Sequence, residues 1–284
     1  MKNFRFMLIS LLALFVVFSA AGQAPAQKLS AEDVIARHLE AIGTAEARNN
    51  VKNQVAAGIV QFTVLREKTG GEGKIVLASE DNKLLYGMTF NMPTYPAETI
   101  IYDGKKSKIA FAVNNARSQF GDYVERYREI LTEGLLGGTL STGWSLRDLP
   151  SRKAKVKLDG TKKINDREAY VLEYQPRKGS DVKITIYIDA ENFQHLRTEY
   201  RRVISAIMGL TPNSSSQQRE ERHTMIEEFS NYKKVNDVNL PHSYRVYIMT
   251  DSSRGIREHE YRAEFAEFYF NQELDPASFN TSSK

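Results

Sequence analysis

The spacing of apolar and polar residues changes from a helical period to a strand period early in the chain. The stretch AEDVIARHLEAIG follows Ser30, carries two acids in its first turn and repeats apolar residues every three or four positions. This pattern predicts one amphipathic helix that ends at Gly43. From Ala57 onward apolar and polar residues alternate, as in GIVQFTVLR, which is the period of a β-strand.

Many short strand patterns follow in two series. The first contains GKIVLAS, KLLYGMTF, ETIIYD and SKIAFAV, and the second contains KAKVKLDG, REAYVLEY, VKITIYID, FQHLRTEYRRV, HTMIEEFSNY, HSYRVYIM and EYRAEFAEFYF. Turn pairs such as Asp103-Gly104 and Asn165-Asp166 separate neighbours, and no helix-length segment lies within either series, which favours antiparallel pairing. About twelve strands exceed what a flat open sheet carries. We therefore predict a mainly β fold: a single strongly curled antiparallel sheet forming an open half-barrel, covered by an N-terminal helix and a central helix-loop insert.

The predicted insert spans about residues 117–147. Its first part, from Phe120 to Leu131, has helical spacing, and it leads into EGLLGGTLSTGWSL, which holds four glycines and the only tryptophan of the chain. One interpretation is a helix end whose apolar residues pack as core. The other is a movable lid over the concave apolar face, with glycines as hinges. The two overlap, because a lid that plugs the concave face is also core while it is closed.

The first residues have the three-part pattern of a secretory signal peptide. Lys2 and Arg5 precede an apolar run, and small residues extend to Ala26, so we predict a signal peptide at 1–26 and a mature start at Gln27, with cuts at Ala21 or Gly22 as competing sites. We expect residues 27–284 to form a single domain without a membrane span. With no cysteine, neither a lipid anchor nor a disulfide is available. We therefore expect a soluble periplasmic protein.

Composition and motifs argue against several classes of function. Loss of Lys2 and Arg5 changes the formal charge from +4 to +2, and charges of both signs are interspersed, which disfavours a nucleic-acid partner. GGTLSTG is one residue too long for G-x-S-x-G, and H-E-x-x-H and the phosphate-binding glycine loop are missing. The acids in QREERH and MIEEFS alternate between strand faces, which favours a solvated face over a metal site. We therefore expect that the protein is not an enzyme and that it has no catalytic residue, no cofactor and no metal.

The order of elements resembles that of the outer-membrane lipoprotein-sorting proteins, the superfamily of periplasmic carriers that includes LolA, LolB and the sensor RseB. The resemblance covers the mature chain through the first helix, the two strand series, the apolar insert, LPHSYRVY and the closing FNQELDPASF. It implies an unclosed barrel that holds acyl chains in an apolar cavity beneath lid helices. The carriers have an Arg-Pro pair whose arginine contacts the lid, whereas Arg66 here lacks the following proline, so Arg66 is a candidate lid contact by resemblance alone.

The resulting hypothesis is a carrier of the acyl chains of lipoproteins, or of another lipid-like ligand, with inner- or outer-membrane transport components as further partners. The alternative is an envelope-stress sensor or protein-interaction module with a filled interior, acting through its edge strands and the 211–222 loop. A lipid or glycan hydrolase is the third hypothesis. It rests on isolated serines and on histidines such as His195 and His223.

Alternation along the strands and the composition of the insert provide the candidate site. A slip of one residue in any strand would exchange its two faces. The predicted cavity residues are Val60, Phe62, Val64, Leu84, Tyr86, Met88, Phe90, Ile184, Ile186, Tyr200, Phe265 and Tyr269, and the predicted lid residues are Leu135, Leu136, Leu140 and Trp144.

Overall fold

The structure, a computed structural model, describes residues 29–206 and 219–282. The predicted signal peptide and most of the polar segment that begins at Thr211 lie outside the described residues.

Twelve antiparallel strands form one sheet. In chain order they are β1 Asn53–Val64, β2 Thr69–Glu80, β3 Lys83–Phe90, β4 Ala97–Tyr102, β5 Ser107–Ile109, β6 Lys155–Ile164, β7 Arg167–Gln175, β8 Lys183–Asp189, β9 His195–Ile204, β10 Glu221–Val235, β11 Val238–Ser252 and β12 Gly255–Phe270. Their order in the sheet is β5-β4-β3-β2-β1-β12-β11-β10-β9-β8-β7-β6. The two strand series join where β1 pairs with β12, and the outermost strands β5 and β6 do not pair with each other. The predicted open, curled sheet is confirmed.

The helices lie at the start of the described chain and between β5 and β6. They are α1 Ala31–Ile42, α2 Ala45–Asn50, α3 Gln119–Arg126, α4 Glu129–Thr132 and α5 Leu149–Arg152, with 3-10 turns at Gly138–Leu140, Ser145–Arg147 and Pro276–Phe279. We call residues 117–152 the insert. The helical pattern from Phe120 to Leu131 is split into α3 and α4, because the backbone of Tyr127 leaves the helical region at φ −118° and ψ 61°.

Helix α1 begins at a capping box. The Ser30 hydroxyl accepts from the backbone N–H of Asp33 at 3.1 Å, and the Asp33 carboxylate accepts from the Ser30 N–H at 2.9 Å. Such a cap satisfies backbone donors that the first turn leaves without partners. The buried side of α1 carries Val34, Ile35 and His38 toward the sheet and the insert.

A β-bulge changes which face of β12 is apolar. The pairing of β1 with β12 shifts between Ala57 and Gly58, so that Ala266 is an extra residue on β12. An extra residue exchanges the faces of all positions beyond it. Phe265 is buried, but Tyr269, which shares its parity, is 46% exposed on the outer face. Tyr269 was predicted to line the concave side, and this placement is corrected.

The outer face of the second half of the sheet carries a ladder of ion pairs. Its charged residues alternate in sign across β9 to β12: Arg201, Glu199, Arg197, Glu228, Arg245, Glu260 and Arg262. Each link joins neighbouring side chains of the same face, so the ladder covers this region with charge rather than with apolar surface. The apolar side chains of the concave face, by contrast, need other parts of the chain to cover them.

Candidate functional site

The concave face of the sheet is apolar and filled. Val64 is half-buried and Tyr269 lies outside, whereas the other ten predicted cavity residues are buried in one cluster with the insert. These ten are Val60, Phe62, Leu84, Tyr86, Met88, Phe90, Ile184, Ile186, Tyr200 and Phe265. The cluster thus brings together strands from both halves of the sheet.

Both halves of the insert contribute to the filling, the first through Phe120 and Val124 of α3 and the second through four apolar side chains. Leu135, Leu136, Leu140 and Trp144 are at most 1% exposed. The Trp144 ring stacks on the His195 ring, with centroids 4.7 Å apart and planes at 19°. All four predicted lid residues therefore lie against the concave face, as core.

Trp144 also connects the insert to α1 through His38. The indole Nε1–H donates to His38 Nε2 at 3.1 Å, so His38 Nδ1–H is the donor to the Phe193 carbonyl at 2.8 Å. The contact with Trp144 requires a neutral imidazole, because a protonated Nε2 cannot accept a hydrogen bond. Burial lowers the pKa of His38 to about 4, and burial with the nearby His38 holds the pKa of His195 well below its usual range. Both rings are therefore uncharged at neutral pH.

A buried carboxylate, Glu227 on β10, holds the backbone of the insert. One of its oxygens accepts from the Gly137 N–H at 2.8 Å and the Tyr244 hydroxyl at 2.6 Å, and the other accepts from the Tyr200 hydroxyl at 2.6 Å. Burial raises the pKa of Glu227 to about 7, although the three hydrogen bonds act in the opposite direction. Alternation in HTMIEEF places this residue on the apolar face, a signal that the sequence interpretation did not use.

Three glycines allow the insert backbone to pack closely, the first within the insert and the other two on the sheet. Gly134, Gly137 and Gly138 have φ values of 64°, 78° and 48°. At Gly138 an added Cβ would come within 2.7 Å of the His195 ring and 2.8 Å of the Phe229 ring. These glycines thus have a packing function in the closed arrangement, and their function as hinges stays a prediction.

Other polar contacts fasten the insert at several strands. The Gln54 side-chain amide donates to the Leu140 carbonyl at 3.0 Å, and the Thr142 N–H donates to the Ser79 hydroxyl at 2.9 Å. The Ser145 hydroxyl donates to that of Tyr174 at 2.7 Å. None of these contacts is a strand pairing, so the hydrogen bonds between the strands do not depend on them.

A cavity of about 450 Å³ lies beside α3, at the end of the sheet where the β1–β2 and β11–β12 turns are. We call it the end cavity. Its apolar floor is formed by Phe62, Val64, Met92, Tyr95, Ala112 and Tyr261, and its charged rim includes Arg117, Arg126 and Arg257. Helix α3 contributes Gln119, Asp122 and Tyr123 to the lining, so this helix forms one wall of the end cavity.

The beginning of α3 is fastened by a second buried carboxylate. The Ser118 hydroxyl accepts from the Gly121 N–H at 2.8 Å and also donates to Glu98. Glu98 is 1% exposed, and it also accepts from the Tyr95 hydroxyl at 2.6 Å. Burial raises the pKa of Glu98. The helix that borders the end cavity thus depends on an acid beneath it.

Arg66, the remaining predicted contact, forms no hydrogen bond or ion pair with the insert among the described residues. Its guanidinium is exposed on the β1–β2 turn and donates to the Ile256 carbonyl at 3.1 Å, because β12 is the neighbour of β1 on that side. Among the described residues no group of three or more His, Cys, Asp or Glu could hold a metal ion. In the same part of the chain, no helix is long and apolar enough to cross a membrane.

Replacement of Gly138 should test the close packing of the insert. We expect Gly138→Ala to lower the free energy of unfolding by about 3 kcal/mol, from backbone strain plus overlap with the His195 and Phe229 rings. Gly179→Ala is the control, because φ there is +76° but nothing lies within 4 Å of an added Cβ, and it should cost only about 1 kcal/mol. Urea unfolding measures both, and equal losses would contradict the packing argument.

The charge of Glu227 should make stability depend on pH. Burial raises its pKa from 4.5 in the unfolded chain to about 7, so the folded state binds more protons between these values and stability falls as pH rises through them. The fall corresponds to about 3 kcal/mol. We expect the free energy of unfolding of Glu227→Gln, relative to that of the original protein, to increase by that amount between pH 4.5 and pH 8. Urea unfolding of both proteins at the two pH values measures this change. An equal difference between the two proteins at both pH values would contradict this account.

The comparisons with known proteins rest on structure. No family model and no curated protein matches the chain. The structure is similar to that of a LolA superfamily protein from Nitrosomonas europaea, with 13% identity over 89% of this chain and 98% of that chain, at a TM-score of 0.46. It is also similar to an outer membrane lipoprotein-sorting protein domain from Vibrio parahaemolyticus, with 15% identity over 88% of this chain and 97% of that chain, at a TM-score of 0.45.

A further match is the complex of MucA and MucB from Pseudomonas aeruginosa, with 9% identity over 84% of this chain and 99% of that chain, at a TM-score of 0.24. Identities and scores are low throughout, so the function of this chain has to be inferred from its own geometry. In structure the chain is thus similar to a LolA superfamily protein and to an outer membrane lipoprotein-sorting protein domain.

Proposed function

We propose that the protein is an exported periplasmic carrier, not an enzyme, that holds the acyl chains of a lipoprotein or another lipid-like ligand against the concave face of its sheet. One observation carries this proposal. Four of the side chains that fill the concave face, Leu135, Leu136, Leu140 and Trp144, belong to a segment of short turns that pairs with no strand. Such a segment can leave while the sheet stays intact.

The ligand would take the place of the insert. An acyl chain of about 16 carbons gains on the order of 10 kcal/mol from burial, which is offset by the cost of displacing the insert. The end cavity would be the point of entry, because its floor is apolar and includes Phe62, Tyr95 and Tyr261 of the buried core cluster. Membrane transport components would then load and unload the carrier, as the resemblance to lipoprotein-sorting proteins implies.

The interaction-module hypothesis differs in what the insert does. It predicts that the insert stays in place and that partners bind at the sheet edges, so a filled interior agrees with both hypotheses. The hydrolase hypothesis has no supporting contact in the described chain: His195 bonds to Thr198, and His223 bonds to Tyr127 and Glu221, so neither bonds to a serine there. Movement of the insert is therefore the discriminating property.

A reversible covalent lock tests that movement directly. The chain has no cysteine, and the Thr142 N–H donates to the Ser79 hydroxyl at 2.9 Å, so Ser79→Cys with Thr142→Cys puts one thiol on β2 and one on the adjoining part of the insert. Loss of both free thiols on oxidation, without dimer formation, identifies the disulfide. We expect the oxidised protein to bind the neutral probe N-phenyl-1-naphthylamine at least about tenfold more weakly than the reduced protein. Dithiothreitol should restore the fluorescence increase that reports binding.

The two single-cysteine variants are the matched controls, because they change the same side chains without a cross-link. Both should bind the probe equally with and without dithiothreitol. Undiminished probe binding by the cross-linked protein would show that the insert does not move for the ligand, and would favour the interaction module. The absence of probe binding in every form of the protein would also reject the carrier.

A further inference from the structure

The end cavity has an apolar floor and a charged rim, and the rim indicates the chemistry of the ligand's head group. We infer that it takes a single-chain amphiphile with an anionic head, which Arg117 and Arg257 hold at the rim while the chain lies on the apolar floor. The inference rests on the proposed function and deepens it, because the concave face by itself selects only for apolar chains. Three observations support the inference: the charges of the rim, the orientation of Arg117 and two buried polar atoms of the lining.

The charges of the rim do not cancel locally. Asp122 pairs with Arg126 at 3.0 Å, and Glu221 contacts His223 at 2.7 Å. The Asp122 charge is therefore paired, whereas the contact of Glu221 is an ion pair only when His223 is protonated, and the three arginines of the lining outnumber its two carboxylates. Arg117 and Arg257 form no ion pair within the described part of the chain, which leaves two guanidinium groups at the rim. Guanidinium groups bind carboxylate and phosphate through paired N–H donors.

Arg117 is held in position for such a contact. Its guanidinium lies 4.7 Å from the centre of the Phe111 ring, and its Nε donates to the Ile109 carbonyl at 3.4 Å. These contacts leave its terminal nitrogens available. Phe111 is 52% exposed, so the pair stands at the surface, where a ligand can reach it. An arginine whose orientation is already fixed loses less side-chain entropy when an anion binds.

Two buried polar atoms of the lining have no hydrogen-bond partner in the described chain. They are Oε1 of Gln119 and Nδ1 of His259. Burial, with a smaller effect of Arg257, lowers the pKa of His259 to about 4, so this ring adds no charge at neutral pH. Buried polar atoms are nearly always hydrogen-bonded. A head that carries hydroxyl groups beside its anionic group would satisfy these atoms as well as the arginines.

Displacement of N-phenyl-1-naphthylamine by three amphiphiles of equal chain length tests the inference. They are 1-palmitoyl lysophosphatidylglycerol, palmitate and the uncharged 1-monopalmitoylglycerol. We expect each anionic amphiphile to displace the probe at a concentration at least about tenfold lower than the uncharged one, and 0.5 M NaCl to reduce the difference. If only the lysophospholipid shows the preference, a phosphate with hydroxyl groups is the head; if palmitate shares it, any anionic head suffices.

Variants test whether the arginines of the rim cause the preference for anionic amphiphiles. Arg117→Gln with Arg257→Gln should remove it and leave the affinity for monopalmitoylglycerol unchanged, which also shows that the variant is folded. Arg254→Gln is the matched control, because this arginine is exposed near Arg257 but does not line the end cavity. It should keep the preference.

Three results would overturn the inference. They are equal displacement by charged and uncharged amphiphiles, a preference that survives in the double variant, and an equal loss in Arg254→Gln. In each of these cases the amphiphiles still bind, so the proposed carrier function stands. If no amphiphile displaces the probe, or if the probe does not bind, the proposed function fails together with the inference.

Discussion

Burial of one apolar face is the constraint on which the rest of the structure depends. A sheet of twelve strands that curls without closing presents its concave side chains to a space that they cannot fill alone. The ion-pair ladder on the opposite face leaves the concave side as the place for the core. The insert solves this problem with four fully buried apolar side chains, and its glycines let the backbone approach the sheet closely. A plug of this kind also occupies the site that a ligand would take.

The plug is held by polar contacts whose charge states matter. His38 accepts from Trp144 only when it is neutral, and Glu227 binds the Gly137 N–H from a buried position. Because burial lowers the pKa of His38 from 6.5 to about 4, the free energy of unfolding falls as pH falls below 6.5. Because burial raises the pKa of Glu227 from 4.5 to about 7, the free energy of unfolding falls as pH rises from 4.5 toward 7. Between pH 4.5 and 6.5 the two effects on stability therefore oppose each other.

Much of this arrangement follows from sequence periodicity, and the exceptions have physical reasons. Alternation predicts the strands and most of the concave residues, but it fails beyond the bulge, where Tyr269 turns outward because nothing in the local pattern marks the extra residue. Glu227 could have been found from the parity of its strand. The contact of His38 with Trp144 joins residues 106 positions apart, and the end cavity combines loops with strand ends. Such sites depend on tertiary packing, which a single sequence does not specify.

Hydrogen–deuterium exchange of the free protein and of the protein saturated with 1-monopalmitoylglycerol tests the central claim most directly. Displacement of the insert predicts faster exchange of residues 133–146 in the loaded protein, because the Gly137 N–H loses its bond to Glu227. The paired amides of β1 and β12 should exchange equally in both states. Unchanged or slower exchange of residues 133–146 in the loaded protein would contradict the claim that the ligand takes the place of the insert.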